Sequence, residues 1–504
     1  MRSKQVFKNL LANILLQIAI AISGLLMPRF YLLSYGSDTY GMIVSIGQFI
    51  AYMALVEVGI AGSSIVALYG PLAKRDMTAV NGILAATAKF YKQSGMVYSL
   101  LIIGLIIGYP YLIKDGMNVE LTRSAILILS IGNLLDYLFF AKYRILLFAD
   151  NRSYVISLAS TLGTIFNTSS ALLLMMCGVS IVYVLLVSTL VYFLRTILIF
   201  SYVRRHYSLL DFRQKPKTSA LKEKRSLIIH QVTGIVYRNC DVILLTIFFK
   251  EKSLVMISVY SIYRMINNMI FSLIDSLSGS VSASIGQLVH SDHEESLRQA
   301  YNNYEFVNSM TVSLVYTAMW LLYMPFIRIY TEGVTDADYI HPILAMMFVL
   351  SGYFYSIRMP GIQLINSAGH FKRTQGRALI ELCIILGVSI LFIHSFGAIA
   401  ILAGSLVTMI YSTITASFYC NRYLLKKTFA NTAKRLLRNA AIGVTMGILL
   451  TKTLNLDSID TPREWILHAL IIVITLSVCF IGVNAWCEYK RFRIVFSAIS
   501  GIFH

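Results

Sequence analysis

Apolar stretches of about 20 residues, each long enough to cross a 30 Å hydrocarbon layer, follow one another from end to end of this chain. Only short polar stretches separate them. About fourteen can be counted, at 8–33, 40–68, 91–113, 122–148, 153–177, 180–203, 226–249, 254–289, 304–330, 341–366, 374–394, 397–421, 436–454 and 464–487. That pattern calls for an all-α polytopic membrane protein. Composition agrees, because 13% of the 504 residues are charged against 57% hydrophobic, whereas about a quarter charged is usual in a soluble chain. The first stretch follows Met1-Arg-Ser-Lys and runs on to Phe30, beyond signal-peptide length and without an Ala-x-Ala-like site, so it is expected to stay attached as the first helix.

The net charge of +19 raises the question of nucleic acid, and the placement of the basic residues answers it. They recur at every second loop: Arg2, Lys4 and Lys8; Lys74 and Arg75; Lys142, Arg144 and Arg152; Arg204 to Arg225; Lys372, Arg373 and Arg377; Arg422 to Arg438; and Lys490 to Arg493. This is the positive-inside pattern, with about 31 of the 43 Lys and Arg facing the cytoplasm and both termini on that side. The charge is topological and needs no nucleic acid partner.

The longest polar stretch, 204–225, is basic and contains Pro216, and reads as a cytoplasmic linker between an N-terminal six-helix lobe (1–203) and a C-terminal six-helix lobe (226–425). An extra two-helix hairpin with a cytoplasmic tail (426–504) completes the chain. A shift of about 219 residues lays Arg144-Ile-Leu-Leu-Phe-Ala-Asp-Asn on Gln363-Leu-Ile-Asn-Ser-Ala-Gly-His and Ser63-Ser64-Ile65 on Ser282-Ala283-Ser284-Ile285, as two parallel halves would.

Ten ionisable residues fall inside the spans: Arg29, Arg195, Arg238, Arg264 and Arg358, with Glu57, Asp136, Asp241, Asp275 and Glu381. Charges at this depth face the protein interior or a water-filled cavity, paired with each other or with a charged substrate. Arg238 and Asp241, three apart, share a helix face and can form a local ion pair. Arginine also suits an anion, since its planar guanidinium grips phosphate with two hydrogen bonds and stays charged. Arg29, Arg238, Arg264 and Arg358 are therefore candidate substrate-binding residues in a central cavity, and Asp241, Glu57 and Asp136 candidate ion-coupling or gating acids. Plainer roles stand beside these: Arg29, after Pro28, can snorkel to the interface, and Arg195 can tie its span to a neighbour through Asp136.

No cofactor and no metal site is expected. The six cysteines are dispersed without a C-x-x-C pair, and the His290 to Glu295 stretch HSDHEE lacks metal-binding spacing. No P-loop, G-x-S-x-G or Rossmann fingerprint is visible, which leaves no case for ATP hydrolysis or nucleophilic catalysis, so an enzyme is not expected.

Several short motifs occur in a familiar order. They are Tyr40-Gly41, Leu55-Val-Glu-Val-Gly-Ile-Ala-Gly-Ser, Leu72-Ala-Lys-Arg-Asp76, Ala149-Asp-Asn-Arg-Ser-Tyr-Val155 and Asn239-Cys-Asp241. Together with fourteen spans, this order resembles the Wzx-type oligosaccharide-lipid flippases, of the superfamily that also holds multidrug exporters and lipid II flippases. The resemblance covers spans one to twelve. It implies two six-helix lobes around a central cavity, alternating access, and transport of an undecaprenyl-diphosphate-linked oligosaccharide (O-antigen, capsule or a similar glycan) across the bacterial inner membrane. It places Asp241 at the family's span-seven acid, Glu57 where many members carry Asp, and Arg29 near an arginine of related lipid II flippases. The partners implied are the lipid-linked oligosaccharide, membrane lipids, H⁺ or Na⁺ if transport is ion-coupled, and glycan polymerase or assembly proteins. A cation-coupled multidrug exporter of the same superfamily is the alternative; it would favour membrane acids over arginines and usually stop at twelve spans.

Overall fold

The computed structural model describes residues 2–57, 59–113, 118–211, 214, 216, 225–249, 252–289 and 294–500. Among them the chain is helical throughout, with no strand. Chain contacts divide it into two compact units, Met1–Ser261 and Ile262–His504.

The first unit opens with α1 (Arg2–Met53), which contains Pro28 and is bent at Gly36, where φ 81 and ψ 169 are open in practice only to glycine. A 3₁₀ turn, Ala54–Glu57, leads to α2 (Ile60–Lys74). Then come α3 (Met77–Leu112), α4 (Val119–Leu135), α5 (Ala141–Ala149), α6 (Ser153–Met176), α7 (Ile181–His206) and α8 (Arg225–Phe248). Caps read directly from the sequence set two of these starts. Asp76 accepts from the Ala79 N–H at 3.0 Å to open α3, and Asn118 accepts from Glu120 and Leu121 to open α4. Helix α1 packs on α6 and α8, α6 on α7, and α3 on α2 and α4.

α9 (Ser253–Val289) carries the chain from the first unit into the second. The second unit continues through α10 (Glu294–Tyr330), α11 (Pro342–Ile357), α12 (Met359–Ser367), α13 (Phe371–Phe396), α14 (Ala398–Tyr419), α15 (Ala430–Thr453), α16 (Pro462–Cys487) and α17 (Tyr489–Ser500). Thr461 and Glu464 form a capping box at the start of α16. α14 lies against α11 and α13, while α10 packs on α11, α15 and α16.

Eleven helices among the described residues are long and apolar enough to cross a membrane. The fourteen stretches counted in the sequence map onto them simply. The first stretch and the opening of the second share one continuous run, Phe7–Glu57, bent at Gly36, whose roughly 75 Å at 1.5 Å per residue is about two and a half hydrocarbon thicknesses, and the second stretch continues onto α2. The seventh is present as the short apolar helix Asn239–Phe248, and the thirteenth, on α15, begins with too many polar residues to qualify by composition. Large apolar side chains left exposed along α1, α6, α13 and α16, among them Ile18, Leu162, Leu391 and Val478, are what a lipid-facing surface requires.

The repeat seen in the sequence recurs in the helix bounds. Adding 219 to α3, α6 and α7 gives 296–331, 372–395 and 400–425, against Glu294–Tyr330, Phe371–Phe396 and Ala398–Leu424 for their counterparts. The run Val119–Ala149 is interrupted at Asp136–Phe140 by a π-helical turn; the same offset takes this turn to 355–359, where Arg358 interrupts the run Pro342–Ser367.

Candidate functional site

Each unit holds a buried group of opposite charges beside a break in its helices. In the first unit the π turn Asp136–Phe140 places Asp136 against the guanidinium of Arg144, and the 3₁₀ turn Ala54–Glu57 places Glu57 within electrostatic range of the same group. Asp136 Oδ2 lies 2.7 Å from Arg144 Nη2. Irregular turns of this kind inside helices recur at functional positions because they free backbone groups and redirect side chains. Arg144 attracts Glu57 electrostatically, and Tyr91 lies beside that carboxylate. The buried Tyr91 hydroxyl lies within hydrogen-bonding reach of the Glu57 carboxylate.

By sequence position Arg144 belongs with the cytoplasmic loop residues, and Arg195 is the expected partner of Asp136. The structure pairs Arg144 directly with Asp136 and keeps Arg195 in electrostatic range of that acid. The π turn advances the helix so that Arg144 points back to Asp136, and Arg195 stacks over the Tyr192 ring at 4.3 Å.

Asp241 lies on α8, buried, with Oδ2 accepting from the Tyr260 hydroxyl at 2.9 Å and Oδ1 from the Val242 N–H at 2.9 Å. Further along α8, the Ser45 and Thr246 hydroxyls share a 2.7 Å hydrogen bond, which joins this helix to α1. The expected partner of Asp241, Arg238, is on α8 by its backbone, and its side chain lies outside the described residues. Arg29 is half-buried on α1 one residue after Pro28, and Arg264 is half-buried on α9.

In the second unit Arg358 sits between α11 and α12. Its Nη1 donates to Ser412 Oγ at 2.7 Å and lies 3.8 Å from Glu381 Oε2, while its guanidinium covers the Tyr355 ring at 4.8 Å. Arg377, one turn before Glu381 on α13, donates from Nη1 to Glu381 Oε1 at 2.8 Å and to Ser412 Oγ at 3.2 Å. Two arginines therefore converge on one carboxylate. The R-x-x-x-E spacing of Arg377 and Glu381 is present in the sequence, but a place near a basic loop disguises it.

A third ionic group fastens the C-terminal helix pair. Arg435 on α15 is 3% exposed; it donates from Nη1 to Glu305 Oε2 of α10 at 2.6 Å and, through Nε and Nη2, to both oxygens of Glu488 at 3.0 and 2.7 Å. Arg438 and Arg491 reach the same carboxylate at 2.8 and 2.6 Å. Burial raises the Glu488 carboxyl, but its hydrogen bonds and charge interactions with Arg435 and Arg438 outweigh that and push it down to about 2. Arg435 also falls among the loop charges in the sequence, and nothing local distinguishes it there.

Several motif residues prove to be structural. A Cβ on Gly41 would come 1.9 Å from the Leu254 carbonyl oxygen, so Tyr40-Gly41 marks a close helix approach. Asp76 is the α3 cap. Asp150 pairs with Arg152 at 3.0 Å and accepts from Tyr207; Asn9 bonds both the Asn151 carbonyl and the Tyr154 N–H, and so ties the start of α1 to this loop. Among the described residues no group of three or more His, Cys, Asp or Glu is placed to hold a metal ion, and residues 290–293 of the HSDHEE stretch lie outside them.

Comparison of the whole fold supplies the remaining fact. No protein-family profile matches the sequence, and no curated protein matches it. Solved structures do. The lipid II flippase MurJ in an inward closed conformation superposes with a TM-score of 0.68 at 15% identity, over 94% of this chain and 99% of that one. The fold is one that transporters use. An inward-facing multidrug resistance MATE family transporter of the MOP superfamily gives 0.58 at 14% identity over 84% and 95%, and a mutant of the Vibrio cholerae MATE transporter VcmN gives 0.54 at 13% identity over 85% and 99%.

Proposed function

We propose that this chain is a flippase that moves an undecaprenyl-diphosphate-linked oligosaccharide across the bacterial inner membrane by alternating access. The observation that carries this reading is that guanidinium groups within the spans are held by carboxylates, Arg144 by Asp136 at 2.7 Å in the first unit and Arg358 by Glu381 at 3.8 Å in the second. Guanidinium groups held in the membrane by carboxylates can exchange those partners for a diphosphate, since both anions satisfy the same donors. The exchange links two states of similar energy, which a carrier needs. In this scheme Arg29, Arg238, Arg264 and Arg358 meet the anionic substrate, while Glu57, Asp136 and Asp241 take up the proton or cation released or required as the pairs open.

The rival reading is a multidrug exporter, and it has the MATE likenesses on its side. Two observations favour the flippase. The MurJ likeness covers 94% of the chain against 84% and 85% for these MATE structures, and in the second unit two arginines share the one carboxylate of Glu381, an arrangement that repels cationic drugs.

Liposomes holding a fluorescent undecaprenyl-diphosphate-oligosaccharide in one leaflet, with a cationic dye as competitor, distinguish the two. The flippase reading expects the lipid to cross with native protein and to stall with Arg238→Ala and Arg358→Ala. Movement of the dye alone transfers the function to drug export.

A further inference from the structure

Beside the Arg358 and Glu381 group a groove of about 350 Å³ opens between α13 and α14, lined by Arg373, Thr374 and Arg377 on one side and by Tyr411, Thr415 and Phe418 among others on the opposite side. Arg377 links this groove to the ion-pair group. Its Nη1 makes both of its hydrogen bonds, whereas Nε is buried without a partner. Two of the five N–H donors are therefore committed to Glu381 and Ser412, and Nε is left over although the side chain is only 13% exposed. Glu381 does not neutralise Arg377 alone, because Arg358 lies 3.8 Å from the same carboxylate. A half-satisfied guanidinium at this depth calls for a further anion.

The surroundings say which anion. Ile414 and Phe418 on the rim are 53% and 45% exposed, on helices that face outward with other large apolar side chains such as Leu391 and Phe392. Arg373 stands exposed at the end of the span, one turn before Arg377. An aromatic and apolar rim at bilayer depth with arginines at its polar end fits one molecule carrying acyl chains and a phosphate. We propose that this groove binds an anionic phospholipid, with the phosphate on Arg377 and Arg373 and the chains along Ile414 and Phe418. The occupant is a membrane component held at the flank of the second unit, separate from the transported substrate. Its phosphate would complete the donor set of Arg377 and so hold the arginine that steadies Glu381 against Arg358.

Native mass spectrometry of the full chain released from vesicles of equal phosphatidylglycerol and phosphatidylcholine tests this. Native protein is expected to retain phosphatidylglycerol at least tenfold over phosphatidylcholine. Arg377→Gln is expected to abolish that preference, with Arg377→Lys intermediate because lysine keeps the charge without the planar fork. Because Arg377→Gln also removes a buried ion pair, Arg373→Gln and Phe418→Ala, both at exposed positions, serve as second variants, each expected to lower retention several-fold. Unchanged preference in Arg373→Gln and Phe418→Ala overturns the proposal. So does binding of inorganic phosphate by lipid-free native protein, lost in Arg377→Gln, with no preference between the two lipids, because the ligand is then a soluble phosphate.

Discussion

Glu57 sits beside the Tyr91 hydroxyl and within electrostatic range of Arg144, which already shares a 2.7 Å pair with Asp136. In the proposed cycle this acid, which among the described residues has no ion pair as close as that of Asp136, is the point of proton or cation exchange. Glu57→Gln, which keeps the shape and removes the charge, is expected to leave the fold intact and to flatten the pH dependence of lipid flipping. Unchanged pH dependence in proteoliposomes would remove Glu57 from the coupling step. Arg144→Ala has the opposite character. It strands two acids, and with the arginine about a third exposed it is expected to destabilise by about 2 kcal/mol, below the cost of breaking a fully buried pair. Thermal unfolding in detergent measures that loss, and Arg144→Ala combined with Asp136→Ala should recover part of it. Of these residues the sequence declares the two acids, because an acid in an apolar run is conspicuous. Arg144 escapes notice since it stands where a basic loop is expected, and only the π turn, which no residue pattern announces, returns it to Asp136.

At the scale of helices, the C-terminal pair is held by small residues and by charge. A Cβ on Gly447 would lie 2.1 Å from Trp320 Cζ3 and one on Gly443 2.6 Å from Thr317 Oγ1, so a Gly-x-x-x-Gly face lets α15 lie directly on α10. Gly447→Leu is expected to force the helices apart at a cost of about 3 kcal/mol, read as a fall in melting temperature. At the polar end Arg435 is the common partner of Glu305 and Glu488. Its loss in Arg435→Ala leaves the buried Glu305 without its ion-pair partner, while Arg438 and Arg491 still hold Glu488, and is expected to cost about 3 kcal/mol. The folded Glu488 carboxyl titrates near 2, below its ordinary 4.5. Its stabilising effect is therefore complete above about 4.5 and is lost as pH falls through about 2. The difference in melting temperature between native protein and Glu488→Gln should shrink as pH is lowered through that window. The Gly-x-x-x-Gly spacing is legible in the sequence. The buried triad is not, because its members are more than 50 residues apart and each sits beside polar neighbours that a loop would also carry.

Across the whole chain, the repeat and the helical class are legible because hydropathy and the basic loops are periodic, and lipid leaves a backbone few alternatives to the helix. What hydropathy cannot show is where a span breaks, since the turns at Glu57, Asp136 and Arg358 keep the apolar average of their runs. The alternation of basic loops predicts Cys177 outside and Cys487 inside, and both are exposed. A membrane-impermeant maleimide applied to intact cells is expected to label a variant that retains only Cys177 and to spare one that retains only Cys487. Gly36 adds a consequence for biosynthesis. Because the first two apolar stretches meet at this one bend in α1, with no loop to spare, the two arms have little polar chain to leave behind in water and must enter the bilayer together. A bulkier residue at position 36 would be felt first at the ribosome exit, as misinserted chains cleared by proteolysis, and only afterwards as lost transport.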